Sequence, residues 1–249
     1  WGWQMAIGLA IAIAFRLNKI IVLASHFLTT GDTSHIENTI IDGTDNGRVF
    51  DIEYANPGSE LRGFTIANGQ VSQDWGGGID VFQSDMLISD LVITNCSAVR
   101  GAGLCASYSF LALLNLNIEN TEATERGAGI YMVNTRTYMN TCNITGANAE
   151  LGAGMCFYIN TPDPLIYWVV LHGCNFYEND AETQTAGLLI RNQDPNNNVN
   201  VGLLGCSFTD NEASANTAMQ IRGENVFFNI MGCNFMDNMA DDYTAGASF

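Results

Sequence analysis

The pentapeptide "GAGIY" occupies residues 127–131, and three close variants of it recur at almost even spacing. They are "GGGID" at 76–80, "GAGLC" at 101–105 and "GAGMC" at 152–156. The last glycines of the four phrases, at positions 78, 103, 129 and 154, are separated by 25, 26 and 25 residues. Self-similarity at a fixed period predicts a stacked array of structural repeats instead of several separate domains.

A second phrase follows each glycine phrase half a period later. It reads "LVITNC" at 91–96, "CNFYEN" at 174–179, "CSFTDN" at 206–211 and "CNFMDN" at 233–238. Both phrases alternate apolar and polar residues, which is the periodicity of β-strands, and Asn, Gly, Asp and Thr separate them as turns require. The repeat therefore predicts an all-β solenoid in which each strand pairs with its copy in the next coil.

Several segments resemble known parallel β-helix proteins. "NTIIDG" (38–43), "GFTIANG" (63–69) and "KIIVLAS" (19–25) resemble proteins of the pectin-lyase-like superfold. The glycine phrases, with "FYEN", "FTDN" and "FMDN", are similar to the paired repeats of polymorphic outer-membrane proteins, although the earlier coils have "ITN" and "IEN" instead. This resemblance implies a right-handed parallel β-helix solenoid of roughly eight coils, each of about 25–32 residues. It also implies a bacterial protein that is secreted or located at the cell surface, either extracellular or associated with an outer membrane.

The resemblance defines one parallel β-helix domain over residues 19–249 and leaves residues 1–18 unassigned. The apolar run "MAIGLAIAIAF" (5–15) is too short to span a bilayer, so it predicts a cap strand or the remnant of a targeting segment. The closing "AGASF" (245–249) begins another coil. We therefore expect a fragment of a longer chain, with no transmembrane segment in this fragment.

Charge and cysteine usage restrict the partners and cofactors. The chain has 9 Lys and Arg against 26 Asp and Glu, a formal charge of −17, which argues against binding nucleic acid. No cofactor is predicted, and such an acidic surface would suit calcium, cationic partners or simple solubility. None of the seven cysteines forms a CxxC pair. Cys142, Cys174, Cys206 and Cys233 occupy a repeat position held by Phe or Leu in earlier coils, which predicts a ladder of reduced, inward-facing thiols.

Loop lengths and outward residues predict a binding edge. Extra residues occur in "INTPDPL" (159–165) and "NQDPNNNVN" (192–200), which follow strands of consecutive coils. Insertions at one edge of a solenoid often mark its binding face, although surface loops also tolerate insertions at little cost. The candidate ligand-binding residues are Tyr131, Tyr158, Asp163, Arg191, Asp194 and Arg222. Tyrosines and arginines in an outward column suit stacking on sugars and pairing with carboxylates; the alternative is a chance mixture of surface residues.

No catalytic constellation is recognisable. Asp80 has no acidic partner in the same column of neighbouring coils, and "HG" (172–173) and "DD" (241–242) occur in the wrong order for a polygalacturonase. The sequence therefore favours a non-enzymatic domain for adhesion or for binding a glycan or a host or cell-surface protein. One alternative is a lyase or glycoside hydrolase that acts on acidic polysaccharide. Another is a passive structural stalk.

Overall fold

The computed structural model describes residues 13–16, 18–161, 166–242 and 245–249. Two short helices, α1 (Phe27–Thr30) and α2 (Ser34–Asn38), lie near the N-terminus, and no helix in the described ranges is long and apolar enough to cross a membrane. All other regular elements are strands. In chain order they are β1 (Ile13–Arg16), β2 (Val22–Ala24), β3 (Ile40–Asp42), β4 (Phe50–Glu53), β5 (Ser59–Arg62), β6 (Thr65–Ala67), β7 (Ile79–Phe82), β8 (Asp85–Thr94), β9 (Ser97–Arg100), β10 (Leu104–Ser107), β11 (Phe110–Glu119), β12 (Glu122–Arg126), β13 (Ile130–Val133), β14 (Arg136–Asn140), β15 (Asn143–Thr145), β16 (Asn148–Leu151), β17 (Met155–Ile159), β18 (Ile166–His172), β19 (Asn175–Tyr177), β20 (Asp180–Gln184), β21 (Leu188–Asn192), β22 (Asn198–Leu204), β23 (Ser207–Thr209), β24 (Glu212–Ala215), β25 (Met219–Arg222), β26 (Val226–Met231), β27 (Asn234–Met236), β28 (Met239–Asp242) and β29 (Ala247–Ser248).

The strands form three parallel sheets that run along the solenoid. Sheet A has the order β1-β4-β7-β10-β13-β17-β21-β25-β29, and sheet C has the order β9-β12-β16-β20-β24-β28. Sheet B contains the remaining strands. Its longest strands, β8 and β11, each pair with two consecutive short strands of a neighbouring coil, β8 with β5 and β6 and β11 with β14 and β15. Each strand pairs in parallel with its counterpart one coil away, as when Leu104 lies opposite Ile130. The predicted parallel β-helix is confirmed.

The glycines of each repeated phrase have two different roles. The first glycines, Gly76, Gly101, Gly127 and Gly152, have positive φ of 64°, 60°, 56° and 61° and form the tight corner from sheet C to sheet A. The last glycines allow the coils to pack closely. A Cβ on Gly103 would lie 2.7 Å from the carbonyl oxygen of Gly129 in the next coil. The phrase therefore specifies both a corner and the spacing of the coils.

The interior is filled by stacked side chains from successive coils. The rings of Phe176 and Phe208 lie 4.9 Å apart and almost parallel. Cys142, Cys174 and Cys206 are buried in the same core, Cys233 is partly buried, and all four are free thiols, as predicted. A hydrogen bond with Cys142, together with burial, raises the pKa of the Cys174 thiol to about 12. This thiol is therefore a neutral packing group at physiological pH.

The asparagines of "FYEN", "FTDN" and "FMDN" form a ladder inside the corner from sheet B to sheet C. The Nδ2 of Asn179 donates to Oδ1 of Asn211 at 2.9 Å, and the Nδ2 of Asn211 donates to Oδ1 of Asn238 at 2.8 Å. The same amide of Asn211 also donates to the carbonyl of Phe176. The ladder satisfies buried backbone groups that the corner removes from the sheets.

Candidate functional site

Four of the predicted ligand-binding residues lie on the outward side of sheet A, which we call the A face. Tyr158, Arg191 and Arg222 occupy one column, since each is in register with the next across β17, β21 and β25. Tyr131 lies in the neighbouring column, in register with Cys156. The repeat alignment thus placed these side chains in the correct columns.

The two tyrosines differ from the expectation of open stacking surfaces. Tyr131 is 3% exposed and Tyr158 is 2% exposed, and they belong to a second apolar cluster outside the solenoid core. Arginines at the end of sheet C cover them, because the glycine corner turns so tightly that the last residue of sheet C lies against the A face. A Cβ on Gly101, for example, would lie 2.9 Å from the Cβ of Cys105.

Arg100 and Arg126 are the covering residues, and they were not predicted as site residues, although each directly precedes a glycine phrase and the two are in register on sheet C. The Arg100 guanidinium lies 5.2 Å from the ring centroid of Trp75 and 5.7 Å from that of Tyr131. Its Nε donates to the carboxylate of Glu125 at 2.7 Å. Burial raises the pKa of Tyr131 to about 12, so its phenol stays protonated. In this part of the A face, the charge of Arg100 is therefore paired with that of Glu125, and Tyr131 is neutral.

Arg126 and Arg191 both lie close to the ring of Tyr158. Their guanidinium carbons are 4.9 and 5.8 Å from its ring centroid, within the range of cation–π attraction, and Nη1 of Arg191 lies 3.4 Å from its hydroxyl. Arg222 is exposed and adjoins Arg191 in the column. None of these three arginines takes part in an ion pair within the described residues. We call Arg126, Arg191 and Arg222 the arginine cluster.

The strands that precede the two predicted loops, β17 and β21, are paired neighbours in sheet A, and the strands that follow them, β18 and β22, are paired neighbours in sheet B. Residues 162–165 of the first loop lie outside the described residues. Asp194 is engaged within its own loop, where its Oδ1 accepts hydrogen bonds from the backbone and the side-chain amide of Asn196 at 2.9 and 2.8 Å. Asp163 lies outside the described residues.

An acidic cluster at the other end of the A face contradicts the expectation that Asp80 has no acidic partner in its column. Asp80 is in register with Asp51 on β4. Arg48 lies between carboxylates, at 3.7 Å from Asp51, 2.9 Å from Asp74 and 3.3 Å from Asp80. The glycine alignment overlooked this coil because Val49 occupies the glycine position. The alternation in "VFDIE" (49–53) was the signal that could have identified it.

Asp80 is expected to make stability depend on pH. Burial raises its pKa to about 6, although Arg48 opposes the shift. A carboxyl with a higher pKa in the folded state binds its proton more tightly when folded, so this contribution favours folding at low pH and is lost as pH rises from about 4 to about 6. Between about pH 4.5 and about pH 7.5, wild type should lose on the order of 2 kcal/mol more unfolding free energy than Asp80→Asn.

Urea unfolding across this pH range measures the difference. Asp74→Asn is the matched control, because Asp74 also bonds to Arg48 but is largely exposed. This variant keeps Asp80, so its unfolding free energy should still fall across this range. Parallel curves for wild type and Asp80→Asn would contradict the assignment.

The A face thus combines an acidic part around Arg48 with a basic part around Tyr158. Within the described ranges, no group of three or more His, Cys, Asp or Glu side chains is placed to hold a metal ion. The guanidiniums of the arginine cluster are suited to binding an anion, since no described carboxylate competes for their donors. In comparisons with known proteins, no family model, curated protein or solved structure matched this chain.

Proposed function

We propose that this chain is a non-enzymatic β-helix domain of a secreted or cell-surface bacterial protein, and that it binds a carboxylate-bearing glycan at the arginine cluster. The observation that supports this proposal most directly is the position of Arg126 and Arg191 near Tyr158, where neither has a carboxylate partner among the residues that the structure describes. On a chain with a formal charge of −17, a group of unpaired cations is unexpected unless a ligand neutralises it. The likeness of the repeats to pectin-lyase-like proteins is part of the same proposal.

The tyrosine beneath the arginines has a supporting role in this proposal. Its ring packs near both guanidinium groups and limits their motion, and its hydroxyl accepts from one N–H group of Arg191, which leaves the other N–H groups of that guanidinium to meet a ligand. A guanidinium held in this way loses less side-chain entropy when it binds a carboxylate in bidentate geometry. Arg191 and Arg222 repel each other as register neighbours, and a bound uronate would relieve that repulsion.

Binding to oligomers of galacturonate, alginate and hyaluronan tests the proposal. We expect wild type to bind at least one of them, and to bind its carboxyl-reduced form much more weakly. The double variant Arg126→Gln, Arg191→Gln should lose at least about tenfold in affinity, which corresponds to about 1.4 kcal/mol. Arg62→Gln is the matched control, because Arg62 is paired with Asp90 away from the A face.

Isothermal titration gives the affinities, and chromatography of the recovered oligomers shows whether they were cleaved. The proposal fails if wild type binds none of the acidic oligomers, or if the double variant binds them as tightly as Arg62→Gln does. Shortened oligomers would overturn the non-enzymatic assignment and favour a lyase or hydrolase.

A further inference from the structure

A cavity of about 420 Å³ lies at the corner between sheets A and B, outside the arginine cluster. Its volume is within the range of small-molecule sites. Two columns of side chains line much of it. Gln83, Tyr108 and Asn134 form the first column, where each follows a strand of sheet A with a positive φ. Asp85, Phe110 and Arg136 form the second column, as the first residues of β8, β11 and β14.

The backbone beneath these columns is held by buried hydroxyls. Ser84, Ser109 and Thr135 lie between the two columns, one in each coil. The amide of Ser84 donates to Oγ of Ser109 at 3.1 Å, and the amide of Ser109 donates to Oγ1 of Thr135 at 3.4 Å. Because these hydrogen bonds join consecutive coils, the cavity is formed before any ligand binds.

Two aromatic rings in the cavity are held in place and still exposed. Tyr108 is 52% exposed and Phe110 is 38% exposed. Tyr108 contacts Phe82 edge-on at 6.1 Å between centroids, and Phe110 contacts Trp168 edge-on at 5.0 Å. Rings that are fixed by neighbours bind a ligand with little loss of side-chain entropy.

The polar groups of the cavity balance in charge. Asp85 and Arg136 lie one coil on either side of Phe110, and neither takes part in an ion pair among the described residues. Burial raises the pKa of Asp85, and Nε of Arg136 donates to the carbonyl of Ile166 at 3.1 Å. The cavity thus presents one carboxylate that accepts hydrogen bonds and one guanidinium that donates them, with no net charge between the two.

We infer that this cavity is a second binding site, which takes one ring of a neutral saccharide. Tyr108 and Phe110 pack against its C–H face, Asp85 accepts hydrogen bonds from its hydroxyls, and Arg136 donates to them. A sugar hydroxyl both donates and accepts, so it matches this pair of groups, whereas a charged ligand would be repelled by one of them. Glycoside hydrolysis commonly uses two carboxylates, and the described lining supplies one, so the inference is binding without cleavage.

Titration with cellohexaose, mannohexaose and xylohexaose tests this site. Wild type should bind at least one of the three, and Tyr108→Ala should weaken that binding at least about tenfold. Asp85→Asn should also weaken it, since the amide replaces one acceptor oxygen by a donor. Tyr177→Ala is the matched control, because Tyr177 is an exposed tyrosine on sheet B outside this cavity. Thermal unfolding of each variant confirms that it is folded.

The variant Arg126→Gln, Arg191→Gln separates this site from the arginine cluster, because it should bind the neutral hexasaccharide as wild type does. The inference is overturned if no hexasaccharide binds wild type, or if Tyr108→Ala and Tyr177→Ala have equal effects. Loss of hexasaccharide binding in the double arginine variant would place the neutral sugar at the arginine cluster instead. If shortened hexasaccharides are recovered, the protein cleaves them, and the inference that the site binds without cleavage is wrong.

Discussion

Replacement of Gly103 by alanine is expected to lower the free energy of unfolding by about 3 kcal/mol or more. The added Cβ would lie 2.7 Å from the carbonyl oxygen of Gly129 and 2.8 Å from Cγ2 of Ile118. The first of these atoms belongs to the backbone of the next coil and the second to the packed interior, so neither can move without disturbing the stack. Urea unfolding monitored by circular dichroism measures the change.

Gly202→Ala is the control for this prediction. Gly202 lies within β22, and a Cβ there would meet only the side chain of Val170 at 3.7 Å, an ordinary contact distance. Its replacement should change the stability by less than about 0.5 kcal/mol. Equal effects of the two substitutions would mean that coil spacing does not depend on the last glycine of the repeated phrase.

Asn211→Ala should be almost as destabilising, by about 3 kcal/mol. Asn211 is fully buried, its amide donates to Phe176 and Asn238, and its Oδ1 accepts from the backbone and the side chain of Asn179 at 3.2 and 2.9 Å. Alanine would leave several of these groups buried without a partner, and each such group carries the full cost of its lost hydration.

Asn175→Ala is a matched control from a second asparagine ladder, on the outward surface of sheet B. Its amide donates to Oδ1 of Asn143 at 2.8 Å, in a geometry like that of the interior ladder, but it is exposed to water. Water replaces the lost partner, so the cost should stay below about 1 kcal/mol. A similar loss of stability in both variants would show that burial is not the source of the effect.

The two proposed binding sites both lie at corners of the solenoid. At the corner from sheet C to sheet A, Arg126 folds over Tyr158 and leaves a cluster of cations. At the corner from sheet A to sheet B, the residues that follow the strands of sheet A and those that begin the strands of sheet B line a cavity. Strand pairing within each sheet determines which side chains follow one another along a column. The corners determine which columns come into contact.

The sequence by itself determined the fold and which residues share a column. Its period of about 25 residues requires each strand to pair with its own copy, so the repeat alignment is also the pairing register. For this reason Tyr158, Arg191 and Arg222 could be placed in one column from the sequence alone, and Cys142, Cys174 and Cys206 could be placed in the core.

Only the tertiary structure decided which side chains from different columns come together. Asp51 and Asp80 share one column, which the alternation in "VFDIE" indicates although Val49 replaces the repeated glycine. The repeat does not indicate that Arg48 lies between these two carboxylates and that of Asp74. The covering of Tyr158 by Arg126 depends on the left-handed conformation of Gly127, which turns the end of sheet C against the A face. A repeat in sequence specifies neighbours along the solenoid axis, whereas contacts across a corner depend on backbone dihedral angles and side-chain length, which the period does not encode.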